Sequence, residues 1–358
     1  MQQRQTLICG KTAFIRLLLA TAVFLTIALL PEPCAAARRP SKSANSEPIL
    51  RVKMGSSHNS FKVTFPDGGW LQNKRGRKVK TFRKGDTFNW QLPGKKGRRV
   101  EYRGESIYLF GNKNLVQLNK SLYRGYLQAD ITDKGARIIN HVGIEDYLRG
   151  VVGSEIGSLS PPESLRAQTV IARTYAYASR NKHGSEGADV CDSTHCQVYK
   201  GVSAERATID PAVQATRGII MISDGEPIAT LYHASCGGMT SDNDKVFGGA
   251  PRSYLRRVVC HFCRDGTNFR WSRSISTAAL IKALRSEKIV FSRLFDAEIE
   301  APTHMDRVTN LVLQTDTGTH KIRGTTIRRL FDLPSTTFVT GNRGQAREII
   351  AAATPVNR

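Results

Sequence analysis

Ile144-Glu145-Asp146-Tyr147-Leu148-Arg149-Gly150-Val151-Val152-Gly153-Ser154-Glu155 is the stretch at which the chain changes period. Ile144, Leu148, Val151 and Glu155 fall at i, i+4, i+7 and i+11, which is one face of a helix. Upstream, over 49–139, the pattern is that of strands. Phe61-Lys62-Val63-Thr64-Phe65 alternates with period two, and Ile107-Tyr108-Leu109-Phe110 does so less regularly. Turn signals interrupt the run at Pro66-Asp67-Gly68-Gly69 and Lys84-Gly85-Asp86. A run of strands followed by helices predicts an α+β fold, mainly antiparallel β with a helix pair.

The second helix has a readable start. Ser160 can cap it, Pro161 or Pro162 can take the first helical position, and Glu163 completes a capping box. Its expected span is 163–181. Strands are expected at 219–222 and 228–233, followed by a Gly237-Gly238 turn. After Trp271 the expected order is a helix at 278–284, a strand at 307–314, a turn at 316–318, a strand at 320–323 and a helix at 325–331.

Glu155 conflicts with its position. It completes an apolar stripe, lies beside Val151, Val152 and Ile156, and sits at a helix C-terminus before Gly157. Burial and the helix dipole both disfavour an anion there. An uncharged carboxyl is what a general acid requires. The alternative is an ordinary glutamate at a frayed helix end.

Two further groups carry chemistry. Cys191-Asp192-Ser193-Thr194-His195-Cys196, with His183 upstream and Cys260-His261-Phe262-Cys263 later, has the ligand types of a zinc site. A pair of disulfides is the competing reading. Tyr232-His233-Ala234-Ser235-Cys236-Gly237-Gly238-Met239-Thr240 sets His233 and Ser235 at i and i+2. A nucleophile with its base fits that spacing, and so does a plain strand ending in a glycine turn.

The N-terminus reads as a leader. Arg4, Lys11 and Arg16 precede an uncharged, mostly apolar run at 17–30, then Pro31, Pro33 and the small residues Ala35-Ala36-Ala37. That is the three-part pattern of a cleaved signal peptide over 1–37, and a membrane anchor at 17–30 is the alternative. Lys and Arg number 53 against 30 Asp and Glu, a formal net charge of +23. In an exported protein such charge points to an anionic wall or membrane surface. No zinc-finger spacing, leucine heptad or aromatic RNA-binding pattern accompanies it, so nucleic acid is not expected as a partner. Basic clusters at Lys74, Arg75, Arg77, Lys78, Lys80 and at Lys95, Lys96, Arg98, Arg99 are either solvated loops or a docking patch. Five cysteines follow the leader, an odd number, so at least one is unpaired or a ligand.

Taken together, several stretches resemble the SpoIID/LytB family, named for stage II sporulation protein D. They are Glu145 to Ile156, Leu165 to Ala176 with its Ala172-Arg173-Thr174-Tyr175-Ala176, Cys191 to Tyr199 and Tyr232 to Thr240. Pro251 to Leu255, Trp271 and Leu333 to Phe338 follow in order. The resemblance implies a lytic transglycosylase that cuts the MurNAc–GlcNAc β-1,4 bond of peptidoglycan glycan strands and closes a 1,6-anhydro ring. It implies Glu155 as the single catalytic acid and Arg173 as a residue near it in the cleft. Gln168, Tyr175, His233, Ser235 and Gly237 are then expected at the substrate, in a glycan-binding groove flanked by the helix pair. Cys191, His195, Cys196 and His183 are the expected ligands of a structural zinc, and catalysis itself needs no cofactor. The expected organisation is leader 1–37, linker 38–48, a basic β-rich region 49–140, the catalytic region 141–340 and a tail 341–358. The protein is expected in the periplasm or on the cell wall. The alternative is a non-catalytic wall-binding protein that enhances a separate amidase.

Overall fold

The computed structural model describes residues 47–93, 100–157, 160–266, 268–301, 307–338 and 348–352. The expected leader, the linker up to residue 46, the basic cluster at 95–99 and most of the tail lie outside the described residues. Among the described residues no helix is long and apolar enough to cross a membrane. The chain packs as two compact units, Met1–Thr230 and Leu231–Arg358.

The first unit is built on a nine-stranded sheet. Its strands are β1 (Ile49–His58), β2 (Ser60–Thr64), β3 (Gly69–Asn73), β4 (Lys78–Phe82), β5 (Thr87–Gln91), β6 (Ser106–Leu118), β7 (Ser121–Thr132), β8 (Gly135–Gly143) and β9 (Val190–Cys191). The main path runs β4-β3-β6-β7-β8-β1-β9, and β2 pairs with β5 and β6. Every pairing is antiparallel except β1 with β9. The mainly antiparallel α+β expectation therefore holds. The alternation seen in the sequence becomes burial: Leu50, Val52 and Met54 of β1 point inward with Phe61 and Val63 of β2, because period two puts alternate side chains on one face. In the first basic cluster, Lys78 lies 4.4 Å from the centre of the Trp70 ring and Lys80 lies 5.2 Å from that of Phe82.

Helix α1 (Ile144–Glu155) follows β8 directly and buries Ile144, Tyr147, Leu148, Val151 and Val152 against the sheet core. Helix α2 (Pro162–Ala178) starts differently from the reading of a Ser160 cap. Its N-cap is Pro161, without a side-chain cap bond, and Ser160 Oγ donates instead to the Ile156 carbonyl at 3.0 Å. Helix α3 (Asp210–Ala215) follows. Of the strands expected at 219–222 and 228–233, only Ile222 is in one: the hairpin is β10 (Ile222–Ser223) with β11 (Glu226–Pro227), and 228–233 is not a strand. Asp224 and Gly225, both at positive φ, form the two-residue turn between them.

The second unit contains α4 (Asn243–Phe247), β12 (Ser272–Ser276), α5 (Thr277–Leu284), β13 (Leu294–Glu300), β14 (Asn310–Thr315), β15 (Gly318–Arg323), α6 (Gly324–Leu330) and β16 (Glu348–Ala352). β13, β14 and β15 form an antiparallel meander, and β12 pairs with β16. Leu280 and Leu284 of α5 and Ile327 of α6 share a core with Leu311, Leu313 and Ile322 of the meander. The predicted helices at 278–284 and 325–331 and the turn at 316–318 all appear, shifted by a residue or so. Ser276 caps α5 by accepting from the Ala279 amide.

Candidate active site and cysteine–histidine cluster

Glu155 is the last residue of α1 and is half-buried. Val151 and Val152, one turn back, are fully buried and fix that end of the helix in the core. The Ile156 amide closes the helix onto the Val152 carbonyl. The Val198 backbone amide donates to Glu155 Oε1 at 2.7 Å. Oε2 makes no hydrogen bond with any described residue. One carboxyl oxygen is thus held by main chain, and the other carries no hydrogen bond from a described residue.

Arg173 stands elsewhere than at this carboxyl. Its side chain is 0% exposed. Nε donates to Glu145 Oε1 at 3.0 Å and Nη2 to Glu145 Oε2 at 2.7 Å. Nη1 donates to the Ile219 carbonyl at 3.1 Å. Glu145 is in the first turn of α1 and Glu155 ends it, so ten residues of helix, about 15 Å, separate them. The expectation of a cleft residue beside Glu155 is corrected: Arg173 fastens α2 to the opposite end of α1.

The segment after α2 is placed by β9. Val190 and Cys191 pair in parallel with Val52 and Lys53. Asp189 accepts from the Arg51 backbone amide at 2.9 Å and from its guanidinium at 2.7 Å. Asp189 is desolvated, but its hydrogen bonds to Arg51 and to the Asn181 amide outweigh that and hold it below the usual carboxylate range. The Tyr199 amide returns to the Asp192 carbonyl and closes the loop.

Inside that loop His183, Cys191, His195 and Cys196 gather four donor atoms within 4.8 Å of one another. Cys196 Sγ is 3.4 Å from His183 Nε2 and 3.5 Å from His195 Nδ1, and Cys191 Sγ is 3.6 Å from the same Nδ1. Tetrahedral zinc with ordinary Zn–S and Zn–N lengths separates S and N donors by about 3.6 Å. The donor set and its spacing fit that ion. His183 keeps its second ring nitrogen on Glu186 at 2.9 Å, and Lys53 Nζ holds the same carboxylate at 2.8 Å. The Lys53 and His183 hydrogen bonds hold Glu186 below the usual carboxylate range, and such a partner is the outer shell that commonly orients a ligating histidine.

The cluster and Glu155 share one stretch of backbone. Cys196 ends the donor set, and Val198, two residues on, donates to Glu155. Between them Gln197 is fully buried and accepts from Tyr147 Oη of α1 at 3.2 Å. Tyr199 Oη donates to Asn140 Oδ1 at 2.9 Å. Gly150 of α1 lies under Tyr199, whose ring carbon would stand 2.6 Å from any added Cβ. Sequence reasoning missed Val198, Gln197, Lys53 and Glu186. Only the length of the motif, which continues three residues past its last ligand, hinted at the first two.

Gln168 and Tyr175 lie on α2. Gln168 is buried, and its Nε2, like that of Gln197, has no hydrogen-bond partner among the described residues. Tyr175 Oη accepts from Lys182 Nζ at 3.1 Å, and the same ammonium reaches the His195 carbonyl at 3.3 Å. Tyr175 therefore stands beside the cluster.

His233, Ser235 and Gly237 belong to the second unit. There they line a cavity of 680 Å³ together with Trp271, Arg273 and Arg328. They are not on a strand. Burial and the charge of Arg307 push His233 below the ordinary histidine range. All five cysteines among the described residues are free thiols.

The SpoIID family model, described as Stage II sporulation protein, matches residues 132–222. That span runs from the end of β7 to β10 and holds Glu155, Arg173 and the cysteine–histidine cluster. The chain is 28% identical over 261 residues to an uncharacterized protein of Brachyspira hyodysenteriae, covering 72% of this chain and 64% of that one. It is 25% identical over 215 residues to Stage II sporulation protein D of Bacillus subtilis, covering 56% and 61%. A shorter match, 35% identical over 103 residues, is to the Amidase enhancer of Bacillus subtilis, covering 29% of this chain and 14% of that protein. The chain thus spans less than two thirds of the length of each of these relatives.

Proposed function

We propose that this chain, whose residues 132–222 belong to the SpoIID family, acts on the bacterial cell wall and cuts its glycan strands as a lytic transglycosylase. The family match and the amidase-enhancer relative support the cell-wall role. The observation that carries the cleavage is the Glu155 carboxyl, half-buried and held through one oxygen by the Val198 amide at 2.7 Å.

The chemistry needs one carboxyl used twice. Protonated Glu155 gives its proton to the glycosidic oxygen between MurNAc and GlcNAc, and the C1–O bond breaks. The cation at C1 is stabilised by the sugar's own 2-acetamido oxygen, where other glycosidases use a second carboxylate. The C6 hydroxyl then bonds to C1, and its proton returns to Glu155. A 1,6-anhydro sugar forms, no water is consumed, and the acid is regenerated.

His183, Cys191, His195 and Cys196 would hold zinc, which would supply structure: it would fix the loop whose Val198 amide orients Glu155. Arg173 is a positioning residue that keeps α1 on α2. The polar cavity with His233, Ser235 and Gly237 takes a saccharide. The charge of +23 fits an exported protein on an anionic wall.

The test is digestion of purified sacculi followed by mass spectrometry. Wild type should release fragments ending in anhydro sugars. Glu155→Gln should bind the sacculi and release none, because the amide can still accept from Val198 but has no proton of the required acidity. Wild-type yield from that variant removes Glu155 as the acid. The amidase-enhancer relative favours a second reading, in which the chain binds wall without cutting it. It prevails if neither protein releases glycan fragments and both raise the rate of an added cell-wall amidase.

A further inference from the structure

Three thiols meet at a second point in the chain, within the second unit and apart from the cysteine–histidine cluster. The Sγ atoms of Cys236, Cys260 and Cys263 all lie within 4.8 Å of one another. We propose that they bind one zinc-class divalent ion as three thiolates, with a solvent molecule in the fourth position. The proposal does not depend on the glycan-cleaving reading.

The spacing is the first argument. Cys236 and Cys263 stand 3.3 Å apart at sulfur, and Cys260 and Cys263 stand 4.0 Å apart. Two thiolates on one tetrahedral zinc are separated by about 3.8 Å, whereas a disulfide needs about 2.05 Å. The observed values straddle the first figure. Three thiols also cannot all pair with one another, whereas one ion satisfies all three.

The backbone supplies the second argument. The Cys260 amide donates to the Gly238 carbonyl at 2.8 Å, and Met239 bridges Val259 in antiparallel fashion. This bridge sets the loop carrying Cys236 against the segment leading into Cys260. Gly237 and Gly238, at φ 71° and 105°, turn the chain immediately after Cys236 in conformations that a side chain would resist. Cys260-His261-Phe262-Cys263 then curls, and the Gly266 amide closes on the Cys263 carbonyl. A Cys-x-x-Cys turn facing a third cysteine is a metal-binding arrangement.

The third argument is what the turn lacks. Phe262 at its tip is 97% exposed, and Val258 and Val259 before it are 59% and 56% exposed. Apolar packing therefore does not fold this turn. Its inward-facing groups are the sulfurs, and an ion on them would supply the missing cohesion. Borderline-soft ions with no geometric demand of their own suit such thiolate sites. Loading releases the thiol protons to solvent, and no oxidant is involved. Because Ser235 and Gly237 flank Cys236 and line the cavity, the ion would brace the cavity wall.

The test uses the full-length native chain, purified without reductant and alkylated with and without added zinc. Peptide mapping should find Cys236, Cys260 and Cys263 protected together by zinc, reacting at least about tenfold faster after chelation. Metal analysis should find one ion fewer per chain in Cys236→Ser and in Cys260→Ser than in wild type. A Cys236–Cys263 disulfide in the purified protein, or alkylation rates unchanged by zinc, overturns the proposal. The wild-type protection measurement stands alone if the variants do not fold.

Discussion

Arg173 and Glu145 form a two-pronged ion pair with no exposed surface on the arginine side chain, joining the middle of α2 to the first turn of α1. Removing one partner of such a pair strands the other charge away from water, at about 3–5 kcal/mol. Arg173→Met should lower the unfolding free energy read from urea melts by an amount in that range. Arg173→Met combined with Glu145→Leu should recover more than half of the loss. Recovery in the double variant separates a structural role from a catalytic one, since glycan cleavage should return with it.

Gly150 carries a different prediction. Alanine is normally the better helix residue by about 1 kcal/mol. Here a Cβ would meet the Tyr199 ring at 2.6 Å and the Gly201 carbonyl at 3.1 Å. Gly150→Ala should therefore destabilise by about 1–3 kcal/mol, as overpacking does. Because Tyr199 adjoins Val198, the push also disturbs the amide that holds Glu155. Activity measured at a temperature where the variant is fully folded should fall at least about tenfold, a loss that 1.4 kcal/mol explains. Unchanged activity would separate the Tyr199 segment from the site.

Much of this was legible beforehand. The Ile144–Val151 stripe and the strand alternation at Phe61–Phe65 were read from spacing, which helix faces and pleats impose locally, whereas the four cluster donors were singled out by the family resemblance and not by spacing. The position of Arg173 was not legible. Its motif neighbours suggested proximity to Glu155, but which end of α1 an α2 residue meets depends on the antiparallel packing of the two helices. The Ser160 cap that the sequence suggested does not form, because its hydroxyl donates to the Ile156 carbonyl instead. Val198 acts through its amide, which no side-chain pattern encodes.

His141 of β8 predicts a pH dependence. It is stacked on Tyr126 and bonded to Gln128 Oε1 at 2.8 Å. Burial and then the positive charge of Arg51 outweigh Asp189 and Asp130, lowering its pKa from 6.5 to about 4. Below pH 6.5 the unfolded chain takes up a proton that the folded chain refuses until about pH 4. Stability should fall through that window and level off beneath it, by up to about 3 kcal/mol. His141→Phe keeps the ring stacking and should flatten that part of the urea-midpoint profile between pH 7 and 4.5. A profile as steep as wild type would assign the effect to other groups.

Substituting Glu186 tests the first cluster without replacing a ligand. Glu186 holds His183 from behind and is itself held by Lys53. Loss of such a partner weakens metal binding by about 10–100-fold. Competition with a chromophoric chelator should find that loss in Glu186→Gln. On the proposed zinc site, a chelator should lower the melting temperature and, through Val198, the rate of the proposed glycan cleavage. Equal affinity in the two proteins would count against a metal role for His183.

The brevity of β9 has a consequence for how the molecule comes together. Two residues of strand cannot persist alone, and their partner β1 precedes them by about 138 positions, as the Arg51–Asp189 contact records. Closing so long a loop costs chain entropy that only a finished sheet can offset. The β1 flank is therefore expected to close late. Until then the main-chain groups of Val52 and Lys53 stand open to any extended strand, and a neighbouring nascent copy is the nearest wrong partner.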